Sequence, residues 1–176
     1  VNTGPQAAPA QMAIDTSYPA IPAITAIGPD TGVAGDGVTS ATGLTVTGTA
    51  EAGATVTLYV DGVLVGTATA NGQGVFSIPT GTLPAGAHNF VVTATDPAGN
   101  TSQPSAQASM TIDNTAPLAP VITSLGTDTG KQGDRLTADN TLTATGIAEP
   151  GTTVTVYDNG NPIGTAVADA SGNWSD

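Results

Sequence analysis

The sequence predicts an all-β chain: one antiparallel two-sheet sandwich followed by a second of the same kind. Three observations carry that reading. Short runs of alternating apolar and polar residues, bounded by Gly, Pro, Asn or Asp, recur along the chain, which is the mark of half-buried strands. No convincing helical period accompanies them. Finally, the chain shifted by about 98 residues aligns with itself without a gap, with about half of the paired positions identical. Residues 12–78 (MAIDTSYPAIPAITAIGPDTG…GVFSI) pair in this way with residues 110–176 (MTIDNTAPLAPVITSLGTDTG…GNWSD). A period of this length is too long for a solenoid repeat and suits one autonomous domain.

The strands follow in order. The first is expected at Ala20–Ile27, before a long loop, PDTGVAGDGVTSATG. The second is Leu44–Thr49, then a tight turn at Glu51–Gly53. The third is Thr55–Val60, whose alternation puts Val56, Leu58 and Val60 on one face. Asp61-Gly62 is a two-residue hairpin turn, leading to a strand at Leu64–Ala70 and a turn at Asn71-Gly72-Gln73-Gly74. Val75–Ile78 comes next, then His88–Thr95 with Phe90, Val92 and Ala94 alternating, then Ser105–Ile112 after the turn Asp96–Asn100. Seven short strands within about 98 residues suit a two-sheet antiparallel sandwich. The second unit repeats the series from Asp113 as far as Trp174, which matches Phe76 and is expected in the core. Asn2-Thr3 matches Asn100-Thr101. The expected organisation is therefore the last strand of a preceding repeat in residues 1–14, a complete domain over 15–112, and a second domain over 113–176 without its last two strands.

Composition narrows the function. The net charge is −12, from 14 acidic and 2 basic side chains, yet charged residues are only 9% of the chain. The surface must then be mostly Thr, Ser, Asn, Gln and Gly. Nucleic acid and anionic membrane are poor partners, because phosphate contacts need Lys and Arg, and only Lys131 and Arg135, in one loop, are present. No run approaches the roughly 18 apolar residues of a membrane helix, so no membrane insertion is expected in this segment. Hydrophobic residues make up 39% and fall in ordered alternation, which argues against disorder despite 23 Gly and 13 Pro. The absence of Cys is compatible with a secreted bacterial protein, but leaves each small domain in need of another staple.

The acids supply a candidate staple. Nearly all fall in expected turns, and most recur at the same place in both units. Asp30 and Asp36 pair with Asp128 and Asp134 in the first long loop, Glu51 with Glu149, and Asp15 with Asp113, while Asp96 lies in the turn before the last strand. Successive turns of a sandwich alternate between its two ends. That places Asp30, Asp36 and Asp61 at the end of unit 1 that faces unit 2, with Asp113 in the linker and Glu149 on the near end of unit 2. Like charges this close disfavour docking. Ca²⁺, which takes 6–8 hard oxygen ligands, would relieve the conflict. Turn chemistry alone is the competing account, since Asp caps its own backbone in turns. It is stronger for Asp61 and Asp158 than for the set Asp30, Asp36, Asp113 and Glu149. The EF-hand spacing is absent, and one His without Cys gives little basis for Zn or Cu. His88 has no Ser or Cys partner in a nucleophile motif and reads as a surface residue of its strand. Tyr59 and Tyr157 read as sandwich packing rather than a sugar platform. Pro19, Pro22, Pro117 and Pro120 stiffen the linkers and protect an edge strand.

The segments IDNTAPLAPVITSLGTDTGKQGD, TLTATGIAEPGTTVTVYDNG and GTAVADASGNWS, with less strict counterparts IDTSYPAIPAI, TVTGTAEAGATVTLYVDG, GQGVFSI and ATDPAGNTS in unit 1, resemble the bacterial immunoglobulin-like extender repeats of large type I-secreted adhesins of the RTX type. The resemblance covers essentially the whole chain. It implies tandem immunoglobulin-like sandwiches, an extracellular or cell-surface location, and Ca²⁺ at the interfaces between neighbouring repeats of the same chain. Contact with a host surface or biofilm matrix would then be made by other parts of the parent protein. By the resemblance, Asp30, Asp36, Asp113 and Glu149 are ligands at one junction, Asp15, Glu51 and Asp96 serve the preceding one, and Asp128 and Asp134 the next. Thr16-Ser17-Tyr18 departs from the commoner Asn-Thr-Ala at the first junction. The function expected is a non-enzymatic, Ca²⁺-stiffened extender. The alternatives are a carbohydrate- or surface-binding sandwich module, or an accessory domain of a secreted enzyme.

Overall fold

The structure is a computed structural model and describes residues 13–126, 138 and 141–176. It divides into two compact units, the first ending at Thr115 and the second beginning at Ala116; the sequence expectation sets the limit at Ile112. The terminal strand expected over residues 1–14 falls almost wholly outside the described residues. Every regular element described is a strand.

Unit 1 contains β1 (Ala23–Gly28), β2 (Val38–Thr39), β3 (Gly43–Thr49), β4 (Thr55–Val60), β5 (Val63–Thr69), β6 (Val75–Thr82), β7 (Gly86–Thr95) and β8 (Ala108–Ile112). One sheet has the order β1-β3-β6 and the other β2-β8-β7-β4-β5. The alternation read from the sequence is what the strands bury. Leu44, Val46, Phe76 and Ile78 of the first sheet meet Val56, Leu58, Phe90 and Val92 of the second in one core. Each such side chain contributes about 1.5–3 kcal/mol by leaving water. β4 occupies the residues expected, and β5 and β7 differ by one or two at their ends. β6 runs on to Thr82, and β8 starts later than expected, at Ala108.

One element was not foreseen. The loop after β1 contains β2, two residues long, which pairs in parallel with β8 through Val38↔Thr111 and Thr39↔Ile112. The chain therefore leaves the first sheet after β1 and joins the edge of the second. The crossing includes a cis Gly28–Pro29 bond and three glycines at positive φ, Gly32, Gly35 and Gly37. It is pinned by Thr39, whose buried hydroxyl donates to the Pro29 carbonyl at 2.9 Å.

Strand directions fix the two ends of unit 1. The β1–β3 connection, the β4–β5 turn, the β6–β7 connection and the C-terminus of β8 share one end. The β3–β4, β5–β6 and β7–β8 turns share the other. Backbone bonds confirm both groupings: Asp61 N to Asn89 O, Leu83 N to Thr42 O and Asp113 N to Thr39 O at one end; Ala50 N to Gly74 O and Gly53 N to Ala70 O at the other.

Unit 2 contains β9 (Val121–Leu125), β10 (Ala144–Ile147), β11 (Thr153–Asp158), β12 (Asn161–Val167) and β13 (Asn173–Ser175), in sheets ordered β13-β10-β9 and β11-β12. Its core is smaller: Ala144, Val154, Val156, Ala168 and Trp174. Trp174 is 4% exposed, as its match to Phe76 predicts. Tyr157 differs from the reading as packing, being 63% exposed. Its counterpart Tyr59 is half-buried because Val91 of β7 stands beside it; among the described residues, no strand takes that place next to β11.

Candidate functional site

At the end of unit 1 reached by β8, the sequence-predicted acids are each held by local turns. Asp30 accepts the Gly35 N–H on Oδ2 at 2.7 Å, while its Oδ1 is enclosed with no hydrogen-bond partner. Asp36 accepts the Val38 N–H on Oδ1 at 2.8 Å. Asp113 accepts the hydroxyl and the N–H of Thr115 on Oδ1, and these bonds, the hydroxyl's first, hold its carboxyl below the usual range. All three are the local backbone capping expected of Asp in turns. The β2–β8 pairing brings the Asp36 loop against β8, with Thr111 N donating to Gly37 O at 2.8 Å. Asp113 comes level with Ser40 in this register, so Asp36 and Asp113 sit on adjacent chains at different heights.

His88 is the residue that sequence reasoning misplaced. It is 6% exposed, not a surface residue. Its Nδ1 lies 2.7 Å from Asp61 Oδ2 and its Nε2 lies 2.9 Å from the Pro84 carbonyl oxygen. The signal was present: His88 is in phase with Phe90, Val92 and Ala94, so the strand that buries those three also turns His88 inward. Both ring nitrogens face groups that only accept, and only the imidazolium can donate to both. The Pro84 carbonyl and then Asp61 raise the His88 pKa, against the opposing effect of burial. Asp61 is lowered in turn, first by the Asn89 N–H bonded to its Oδ1 at 2.9 Å and then by His88. Asp61 also sits at φ 52° in its hairpin turn, followed by Gly62 at 79°, the left-handed pair that such a turn demands.

At the opposite end, Asn100 ties two of the predicted acids together. Its Nδ2 donates to Asp96 Oδ2 at 2.8 Å and to the Asp15 carbonyl at 3.1 Å. That side-chain bond leads the causes that lower the Asp96 pKa. Asp15 accepts the Ser17 N–H on Oδ1. Glu51 closes the β3–β4 turn with its carbonyl, which accepts Ala54 N–H at 3.1 Å. Glu149 repeats this in unit 2, where Thr152 N–H and Oγ1 both donate to its carbonyl. Asp128 and Asp134 lie outside the described residues.

A control for turn chemistry lies in the β5–β6 turn. Asn71 caps Gln73 and Val75 through Oδ1, and its counterpart Asp169 caps Ser171 and Asn173 in the same way. An amide and a carboxylate serve equally there, so Asp169 is explained by the turn. Among the described residues, no three His, Asp or Glu side chains gather into a group able to hold a metal. Asp30 differs: its Oδ1 is an enclosed carboxylate oxygen with no hydrogen-bond partner, beside a loop with Gly32, Gly35 and Gly37 at positive φ.

Comparison with known proteins accords with this geometry. The family pattern described as "Bacterial Ig-like domain" matches residues 17–114, and that of "Bacterial Ig domain" matches residues 131–175. No curated protein matches the chain. Among solved structures, fibronectin(III)-like modules of Clostridium thermocellum CbhA are 22% identical with a TM-score of 0.38, over 52% of this chain and 95% of theirs. A structure bearing on host cell surface retention of a 1.5-MDa bacterial ice-binding adhesin is 24% identical with a TM-score of 0.39, over 88% of this chain. The BSP domain of a biofilm associated protein is 26% identical with a TM-score of 0.30, over 90% of this chain. The chain spans 52% of the adhesin structure and 23% of the biofilm-protein structure. With two sheets closing on one core and a family match over most of unit 1, the chain belongs to the bacterial Ig-like domain family.

Proposed function

We propose that the chain is a non-catalytic extender segment of a bacterial surface or secreted adhesin, stiffened by Ca²⁺ bound by acids at the ends of its repeats. The observation that carries this reading is the repetition itself. The β4–β5 hairpin of unit 1 and the β11–β12 hairpin of unit 2 have the same register and the same bulge, before Tyr59 and before Tyr157. A chain that spends its length on copies of one sandwich gains reach with each copy. On unit 1, Asp30, Asp36 and Asp113 would serve such an ion by turning their carboxylates from the local caps they hold here, since the three do not gather among the described residues; on unit 2, Glu149 would serve one. Asp15, Glu51 and Asp96 would serve an equivalent site, as would Asp128 and Asp134. Ca²⁺ supplies the positive charge that such carboxylates lack. The chain's own contribution would be to present those oxygens from loops and turns at the strand ends. Adhesion itself, to a host surface or biofilm matrix, is assigned to other parts of the parent protein.

Thermal unfolding of the chain in Ca²⁺, in Mg²⁺ and in EGTA tests this. An ion present at 100 times its Kd adds about 2.7 kcal/mol, and each kcal/mol moves the midpoint by about 4–8 °C in a domain of this size. The expected result is a rise of about 10–20 °C in Ca²⁺, a smaller one in Mg²⁺, and loss of the rise in Asp30→Asn. Equal midpoints in Ca²⁺ and EGTA would refute the calcium site.

A further inference from the structure

His88 is held in a place that suits one protonation state only. It is buried on β7, opposite Met110 of β8. Its Nδ1 lies 2.7 Å from Asp61 Oδ2 and its Nε2 lies 2.9 Å from the Pro84 carbonyl oxygen. Neither neighbour has a proton to give, so a neutral ring, with one N–H, satisfies only one of them. The other contact then sets a bare ring nitrogen against a lone pair. Few charged groups surround the ring. Asp61, from the β4–β5 turn, is the one that acts on it. β8 and the connection over 83–85 carry no titratable side chain. Tyr59 of β4 is out of phase with the buried Leu58 and Val60 and so lies on the outer face. Asp30, Asp36 and Asp113 share this end of the unit but bond to their own loops.

The geometry decides which contact yields. Asp61 is fixed in place: its Oδ1 accepts the Asn89 N–H at 2.9 Å, and its own N–H donates to the Asn89 carbonyl at 2.9 Å. Its bond to the ring also stays charge-assisted when the imidazole is neutral. Pro84 has an exit. It is exposed, in a connection flanked by Gly81 at φ 70° and Gly86 at φ 129°, so its carbonyl can turn to water by rotation at residues that have no Cβ. That connection holds Leu83 against the core, with the Leu83 N–H donating to the Thr42 carbonyl at 2.8 Å. We propose that His88 is a proton-operated latch: as imidazolium it pins the β6–β7 connection through the Pro84 carbonyl, and on losing the Nε2 proton it keeps Asp61 and lets that connection open. Folding raises the His88 pKa above 6.5. The latch is therefore closed in mildly acidic medium and opens as pH rises through the folded value. The end of unit 1 reached by β8 loosens in alkaline medium, while the opposite end stays shut. None of this rests on the calcium reading.

Amide hydrogen exchange of the intact chain tests this, followed by NMR across the His88 titration and corrected for the intrinsic pH dependence of exchange. The expected result is that protection of the Leu83 amide falls at least about tenfold, with its midpoint at the pH where the His88 ring titrates. The Ala50 amide, bonded to the Gly74 carbonyl at the opposite end, should keep its protection. Ring nitrogen shifts should show neutral His88 with its proton on Nδ1. Asp61→Asn keeps a residue tolerant of the left-handed turn but removes the charge that favours the imidazolium, so Leu83 should open at lower pH. A role in packing alone would leave that midpoint where it is. The proposal is overturned if Leu83 protection is the same on both sides of the His88 titration, or if Ala50 loses protection in step with it, which would mark general loosening. A neutral ring protonated on Nε2 would overturn it as well, since Pro84 would then be kept and Asp61 released.

Discussion

His88 and Asp61 form the one ion pair between described side chains, and they tie the β4–β5 turn to the β6–β7 connection through the Pro84 carbonyl. Folding raises the His88 pKa above its ordinary 6.5. Its contribution is therefore complete below the unfolded value and is lost as pH rises through the folded one. Folding lowers Asp61 below 3.8, so its contribution is present above that value and is lost as pH falls through the folded pKa. The pair is strongest between those limits. Urea unfolding of unit 1 should accordingly show stability falling from mildly acidic toward alkaline pH, and His88→Gln should flatten that slope. An imidazole NMR titration that places the His88 pKa at or below 6.5 would contradict the assignment. No composition count could reveal this pair; the parity of His88 with Phe90 could. Its partner, Asp61, is hidden from sequence logic because the contact spans two separate connections, and the Asp61-Gly62 pair is already accounted for by the hairpin.

Strands were read well where alternation is long and poorly where it is short. β4 buries Val56, Leu58 and Val60 as its pattern dictates. β2 escaped because two residues have no period and because parallel pairing with β8 depends on a chain segment far away in sequence. Packing between the strands of the first sheet rests on a glycine that the sequence does not single out. A Cβ at Gly48 of β3 would run into the Ala23 carbonyl of β1 and the Phe76 ring of β6. Gly146 of β10 repeats this with the Val121 carbonyl and the Trp174 ring. The aromatic residue lies flat over the strand only where the side chain is missing. Gly48→Ala should therefore cost about 1–3 kcal/mol through overpacking. Gly72→Ala, where a Cβ meets nothing within 4 Å, should be nearly neutral. Equal midpoints for the two variants in thermal unfolding would show that the β3–β6 contact relaxes freely. The acids at turns divide by the same logic. Asp169 is explained by its turn, since Asn71 does its work in unit 1, whereas Asp30 keeps an enclosed oxygen that its turn does not use.

The charge of −12, carried mostly by strand-end turns, makes the whole molecule sensitive to what neutralises it. General screening by salt weakens such repulsion over about 10 Å at 0.1 M ionic strength. A bound divalent ion acts at particular oxygens and at far lower concentration. The distinction matters because a plain spacer and a cation-stiffened one are built from the same sandwich. Repetition, the strands with long alternation and the core were visible in the sequence because each leaves a periodic trace. The occupancy of the acidic ends leaves no such trace, because Asp is equally at home capping a turn and binding Ca²⁺. The central claim is that Ca²⁺ restricts the motion of one repeat relative to the next, and small-angle scattering of the chain at constant ionic strength, first in Ca²⁺ and then in excess EGTA, addresses it most directly. The account predicts a larger radius of gyration and a sharply defined maximum dimension in Ca²⁺, both giving way to a broader distribution in EGTA; superimposable curves would contradict it.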